Sequence, residues 1–296
     1  MNIGIIGYGS WSKIIINEIN NNNKFNLTAI VSRTNKLEQK NLKIFGTIKE
    51  MIDSNIIDCI FVAANPDVNF EVIKLNKIRK IPLILEKPLC VSLKKAEQLK
   101  KIVEEYKLIV FPNLSNFFSE SFFELKKEID KNILNIKRII IYEGSLGPFR
   151  NNINPIWDWG FHPISIMYIL FENYSFTRIR NKELKSNNLL GKGIVSKFSF
   201  NINNNIKVDI VTGNLFKRKT RQIKLILNNN DFILSDMITH KLYLKNNLKF
   251  QNKNTPICSL LNCFEKDIRL RNYNNSLKLI KASVKTVRFL EQFYRL

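Results

Sequence analysis

Two short stretches of this chain hold side chains able to move a proton. The first is Trp157-Asp158-Trp159-Gly160-Phe161-His162, which sets a carboxylate four residues before an imidazole. On a helix that spacing puts both on one face, close enough to touch. A carboxylate beside an imidazole fixes its tautomer and stabilises its protonated form. His162 is therefore a candidate general acid or base near neutral pH, with Asp158 as its partner. The flanking tryptophans could exclude water or stack on a ring. A plain structural reading stands beside this one, in which Asp158 caps a helix and His162 is a satisfied core residue. The only other histidine, His240, falls in an expected hairpin and reads as exposed. The second stretch is Glu86-Lys87-Pro88, at the end of a short apolar run. A lysine there can hydrogen-bond a substrate oxygen and lower the cost of a developing alkoxide. A surface lysine before a proline is the ordinary alternative.

A third stretch can hold an anion. Residues 1–12 read M-N-I-G-I-I-G-Y-G-S-W-S: an apolar run, a turn through Gly7 and Gly9, then a helical pattern from Lys13. This strand, glycine turn and helix match the G-x-G-x-x-G context, with Ser12 at the third glycine. Gly7 permits the tight turn. Gly9 lets the backbone approach a pyrophosphate, and the helix N-terminus offers free N–H groups.

The elements that must position these residues follow from hydrophobic pattern. Strands are expected at 3–7, 27–32, 43–46, 58–64, 82–85 and 108–112, alternating with helices that include 47–54, 67–76 and 92–106. Thr47 with Glu50 forms a capping-box pattern, and Ser92 reads as an N-cap. A short helix is also expected near 37–43. Six strands alternating with helices predict a doubly wound parallel Rossmann sheet over 1–112. After the second strand such sheets meet the adenosine ribose. The segment Ser32-Arg33-Thr34 has no carboxylate for a 2′-hydroxyl, and Ser32 with Arg33 suits a 2′-phosphate, so NADP is favoured over NAD. From 113 to 296 the pattern changes to helices at 119–130 and 160–171, strands at 136–144, 176–180, 193–201, 206–212, 221–227, 231–236 and 241–244, and closing helices at 256–269 and 276–294. The fold class is α/β, with a second α/β domain built on a mostly antiparallel open sheet. The last helix is free to pack back on the first domain.

Composition bounds the alternatives. The chain has 296 residues, 45% of them apolar and 24% charged, as in an ordinary globular protein of two domains. No apolar run approaches the roughly 20 residues of a membrane span, and no signal peptide opens the chain, so a cytoplasmic location and no membrane partner are expected. The four cysteines show no paired or metal-ligand spacing, which predicts neither a disulfide nor a metal site. A net charge of +22 raises the possibility of nucleic acid. The basic residues are scattered, however, and the wealth of Lys, Asn and Ile is what A/T-rich codons produce, so nucleic acid is not the expected partner.

Taken together, four motifs in this order resemble the glucose-fructose oxidoreductase/inositol dehydrogenase (Gfo/Idh/MocA) family. They are the glycine turn of 7–12, Ala63-Ala64-Asn65-Pro66 at a strand end, Glu86-Lys87-Pro88, and Asp158-x-x-x-His162. The ending also fits, with Thr255-Pro256 before a helix and a last helix closing in Phe289-Leu290-Glu291. The resemblance implies an NAD(P)-dependent oxidoreductase that moves a hydride between nicotinamide and a secondary alcohol or ketone of a sugar or nucleotide sugar. It implies catalytic roles for Lys87, Asp158 and His162 around one carbon, and a cis Lys87–Pro88 peptide. Ser10, Trp11 and Ser12 would face the pyrophosphate. Ala64, Asn65, Pro66, Asn69, Glu86 and Lys87 would line the cofactor. Many relatives carry His where Asn69 stands. The phrase W-D-W-G-F-H resembles members acting on nucleotide sugars for surface polysaccharides, with Arg150 and Trp157 suited to a phosphate and a ring. A homo-oligomer through the second domain's sheet is implied as well. The rival expectations are a nicotinamide-binding sensor or scaffold without turnover, and a basic nucleic-acid binder.

Overall fold

The computed structural model describes residues 1–32, 42–149, 154–188 and 191–294. The chain divides into two units, Met1–Ser115 with Ile257–Glu291, and Asn116–Pro256 with Gln292–Leu296.

The first unit runs β1 (Asn2–Ile6), α1 (Ser10–Asn20), β2 (Asn26–Val31), β3 (Lys43–Phe45), α2 (Ile48–Asp53), β4 (Cys59–Val62), α3 (Pro66–Asn76), β5 (Leu83–Leu85), α4 (Leu93–Tyr106) and β6 (Val110–Pro112). Strands β4 and β5 are short unbroken apolar runs, buried at every residue. Strands covered on both faces need such runs rather than alternation. All neighbours pair in parallel, in the order β3-β2-β1-β4-β5-β6. The order reverses at β1, so the carboxyl ends of β1 and β4 flank the crevice where such sheets take ligands. The expected capping box of α2 is present, with Glu50 N–H donating to Thr47 Oγ1 at 3.2 Å and Thr47 N–H to Glu50 Oε2 at 3.3 Å.

The second unit contains α5 (Glu120–Asn132), β7 (Ile136–Leu146), α6 (Pro155–Trp159), α7 (Phe161–Leu170), β8 (Phe176–Asn188), β9 (Gly191–Ile202), β10 (Ile206–Gly213), β11 (Leu215–Leu227), β12 (Phe232–Asp236), β13 (Lys241–Leu244) and β14 (Asn247–Gln251). These strands form one sheet in the order β14-β13-β12-β11-β7-β10-β9-β8. Only β7 and β10 pair in parallel, and every other pair is antiparallel. One face buries Ile139, Ile141, Phe198, Ile210, Ile223 and Leu242, with α5 packed on β12 to β14 and α6 on β9 and β10. The other face carries Tyr142, Lys197, Asp209 and Lys224.

Two helices complete the described chain, α8 (Pro256–Arg269) and α9 (Asn274–Glu291). Helix α9 packs on α4 and β6, and Val110 N–H donates to Ser276 Oγ at 2.9 Å. Here one local expectation is corrected. Ser92 stands at the N-cap position of α4, but its side chain makes no capping bond. The Leu93 N–H instead donates to Glu291 Oε1 at 3.0 Å.

Other differences concern polar segments. Strand β14 is an additional strand beyond those expected, a five-residue edge segment that is mostly exposed. Strands β8 and β11 run longer than their apolar stretches, and β11 loses register between Leu215 and Thr220. His240, expected to be exposed, is half-buried at φ +57° in the β12–β13 turn, and burial lowers its pKa. The helix expected near 37–43 falls mostly outside the described residues.

Candidate active site

The glycine turn joins β1 to α1. Gly7 has φ +97°, and a Cβ there would lie 2.5 Å from the carbonyl oxygen of Ala63, just past β4. Its N–H donates to Val31 O at 3.0 Å, tying the turn to β2. The turn must therefore lack a side chain at this position. Gly9 differs: its φ of −94° suits any residue, and nothing stands within 4 Å of where its Cβ would be. Gly9 is the N-cap of α1, whose first turn has no side-chain cap and no acidic residue. The first N–H groups of an α-helix have no partner within the helix. An open cradle over such a helix end fits an anion. Ser12 is fully buried, and its hydroxyl accepts from Gly9 N–H at 3.3 Å. A small residue at the third glycine position therefore fits helix packing here. Ser10 and Trp11 occupy the exposed start of α1.

The neighbouring strand ends carry the other residues expected to line a cofactor. Ala64 and Asn65 follow β4, Asn65 being the exposed N-cap of α3 and Pro66 its first residue. Ser32 is buried after β2 and donates its N–H to Phe45 O at 3.4 Å. Arg33 and Arg150 lie outside the described residues.

Beyond β5 the Glu86-Lys87-Pro88 loop is held on several sides. Glu86 N–H donates to Val62 O at 3.0 Å, continuing the sheet past β5. The Glu86 side chain is 9% exposed. Its Oε1 accepts from Trp11 Nε1 and from Asn113 Nδ2, both at 2.5 Å, and its Oε2 accepts from Lys87 N–H at 3.3 Å. Burial pushes the carboxyl pKa up, and these donors together with the Lys87 charge offset only part of that rise. The Lys87–Pro88 peptide is cis, and Lys87 itself is half-buried. Asn69, on α3, is fully buried. Its Nδ2 donates to the carbonyls of Glu86, Leu89 and Pro88 at 2.9, 3.2 and 3.4 Å. Within this unit, then, Trp11, Asn69, Glu86 and Lys87 come together. Asn113, which sequence reasoning missed, joins them. Its only sequence signal is its place just past a sheet strand, and the pairing of Leu85 with Pro112 sets it beside Glu86.

In the second unit Asp158 and His162 keep their four-residue spacing across a junction. Asn154 Oδ1 caps α6 by accepting from Ile156 N–H at 2.9 Å. Gly160 continues in right-handed conformation into α7, so the helical stretch begins at Pro155 rather than at 160. A Cβ on Gly160 would lie 2.9 Å from Ile156 O and 3.4 Å from Thr212 Cγ2, so α6 sits tight on β10. Pro163 removes one helical N–H where α7 begins, a position that tolerates it. Asp158 and His162 are both half-buried, and Ser165 Oγ donates to the His162 carbonyl at 2.8 Å. Trp157, expected to suit a ring, is 1% exposed. Trp159 is half-buried. Among the described residues neither indole nitrogen finds a hydrogen-bond acceptor, and no group of three metal-ligating side chains gathers. No helix among them is long and apolar enough to cross a membrane.

Residues 1–114 match the sequence model of the Gfo/Idh/MocA group, described as an oxidoreductase family with an NAD-binding Rossmann fold. No curated protein matches the chain. Solved structures match nearly its whole length. A Magnetospirillum magnetotacticum MS-1 protein assigned as an oxidoreductase superposes with a TM-score of 0.85 at 17% identity, covering 98% of each chain. UDP-N-acetylglucosamine 3-dehydrogenase from Acidithiobacillus ferrooxidans gives 0.75 at 12%, covering 99% of this chain and 98% of that one. Scyllo-inositol dehydrogenase from Lactobacillus casei, solved with NAD(H) and scyllo-inositol, gives 0.73 at 14%, covering 98% and 94%. At these identities the likeness establishes the fold.

Proposed function

For a chain whose first 114 residues belong to the Gfo/Idh/MocA oxidoreductase family, we propose an NAD(P)-dependent dehydrogenase or reductase acting on a secondary alcohol or ketone of a sugar or nucleotide sugar. The observation that carries this reading is the open cradle over Gly9 at the uncapped end of α1, on the same sheet edge as the braced Lys87 loop. Gly7, Gly9, Ser10, Trp11 and Ser12 would hold the pyrophosphate, with Ala64, Asn65 and Pro66 toward the nicotinamide. Ser32 and Arg33 favour NADP. When bound, the nicotinamide supplies or accepts a hydride at its C4. In the oxidative direction His162 takes the hydroxyl proton. Lys87 steadies the oxygen and is the alternative proton acceptor. Asp158 orients His162 or contacts the substrate. Structural neighbours named for inositol and nucleotide-sugar oxidation favour the sugar class.

The test is a screen of inositols, sugars and nucleotide sugars for absorbance change at the reduced-nicotinamide band, with NADPH and NADH. Turnover is expected with at least one of them. Removing a positioned acid–base group costs about 10²- to 10⁴-fold, so His162→Ala and Lys87→Ala should each lose activity on that scale. Turnover that survives both substitutions would overturn the assigned roles.

A further inference from the structure

Asn69 is fully buried, so its side chain cannot touch a ligand. Its amide nitrogen nevertheless meets three carbonyls on either side of Lys87, those of Glu86, Pro88 and Leu89. Asn113 is 3% exposed, and its amide grips the Glu86 carboxylate from β6, while its own N–H holds Leu85 O at 2.7 Å. Trp11, 42% exposed at the start of α1, grips the same carboxylate oxygen from the glycine turn. Glu86 Oε2 then receives the Lys87 N–H itself. The residue before Lys87 and the two after it are thus pinned from α3, β6 and α1. An apolar side chain of similar size would fill the space without leaving the Asn69 and Asn113 carbonyl oxygens buried and without a partner among the described residues.

We propose that Asn69 and Asn113 are positioning residues that act through Lys87. They fix the 86–89 loop so that the ammonium group is held where the reacting oxygen will be, and Trp11 ties that loop to the cofactor turn. The inference rests on the functional reading above, which gives Lys87 its role. A loop held by several directed bonds keeps its catalytic group within the small tolerance that reaction geometry demands. Asn69 and Asn113 are not cofactor contacts.

The test is a double-mutant cycle on the full chain. With NADPH and the best substrate from the screen, Asn69→Ala and Asn113→Leu should each lower kcat about 10- to 100-fold, with KM for NADPH within about threefold. In the Lys87→Ala background the same substitutions should cost less than about twofold, because the group they position is gone. A loss as large in that background as in the wild type would overturn the proposal. Loss of activity in Lys87→Ala itself checks the underlying reading, so the two failures are distinguishable. A second measurement needs no turnover. Amide hydrogen exchange at 86–90 should speed up at least tenfold in Asn69→Ala, and in Trp11→Phe should this first variant not fold, with β1 amides unchanged. Unchanged exchange in the loop would overturn the proposal.

Discussion

Replacing Gly7 and Gly9 by alanine, one at a time, separates the two duties of the glycine turn. At Gly7 the new methyl would stand 2.5 Å from Ala63 O and 3.1 Å from Ala63 C, both backbone atoms just past β4 that cannot step aside cheaply. The positive φ adds its own strain. Left-handed backbone costs about 1–2 kcal/mol, and overpacking a fixed neighbour about 1–3 kcal/mol. The sum is about 2–5 kcal/mol, a large share of the stability of any domain. At about 2–4 °C per kcal/mol, the melting temperature should fall by roughly 4–20 °C. At Gly9 the methyl meets nothing within 4 Å and φ is −94°, so stability should change by less than about 1 kcal/mol, the N-cap preference alone. The same methyl would fill the space an approaching phosphate needs. An overlap of about 1–3 kcal/mol weakens binding about 5- to 150-fold. Thermal unfolding without ligand and calorimetric titration with NADPH read the two effects separately. The reasoning fails if Gly7→Ala melts like the wild type, or if Gly9→Ala binds NADPH as tightly as the wild type.

Three further outcomes are expected. Burial pushes the Asp209 carboxyl up, but hydrogen bonds from Ser199, Arg138 and Lys197 outweigh it and hold the pKa below the usual range. That stabilisation is present above the unfolded value of about 3.9 and is lost as pH falls through the lower folded value. Asp209→Asn should therefore cost about 1–2 kcal/mol at pH 7 and progressively less as the pH falls below about 4, as read by denaturant melts across that range; a cost that does not shrink on acidification would contradict the assignment. Glu291→Ala should cost about 0.5–2 kcal/mol through loss of the α4 cap, whereas Ser92→Ala should cost almost nothing; the opposite ranking in thermal melts would reassign the cap. Tyr142, 42% exposed on the sheet face that also carries Lys197, Asp209 and Lys224, should sit in a homo-oligomer contact, so Tyr142→Glu should turn an oligomer into a monomer in sedimentation velocity; a monomeric wild type would remove that contact.

The parallel sheet was legible because strands buried on both faces are written as unbroken apolar runs, as at 59–62 and 83–85, and glycine spacing marks the turn after the first of them. The α2 capping box was legible because both of its partners lie within one helical turn. What stayed hidden depends on contacts distant in sequence. The α4 cap comes from Glu291, 198 residues away, and local pattern pointed to Ser92 instead. Asn69 read as a cofactor neighbour, yet its burial and three carbonyl bonds appear only once α3 is laid beside the loop after β5. Asn113 carried only its place just past a strand, and its partner Glu86 lies 27 residues away. Trp157 read as a stacking surface because aromatic type is visible in sequence and burial is not. Strand β14 reads N-L-K-F-Q and does alternate, but it is only five residues long and mostly exposed, too short a signal to stand out from the loop around it.

The account turns on whether this chain transfers a hydride between nicotinamide C4 and a sugar carbon with Lys87 and His162 in place. The direct measurement is mass spectrometry of the product after incubation with NADPH or NADH carrying deuterium at both C4 positions and the oxidised forms of the candidate sugars and nucleotide sugars. The account predicts one deuterium on the reduced carbon with the wild-type chain, and a loss of labelling rate of at least about 100-fold in Lys87→Ala and in His162→Ala. No label in any product, or labelling as fast in both variants as in the wild type, would contradict it.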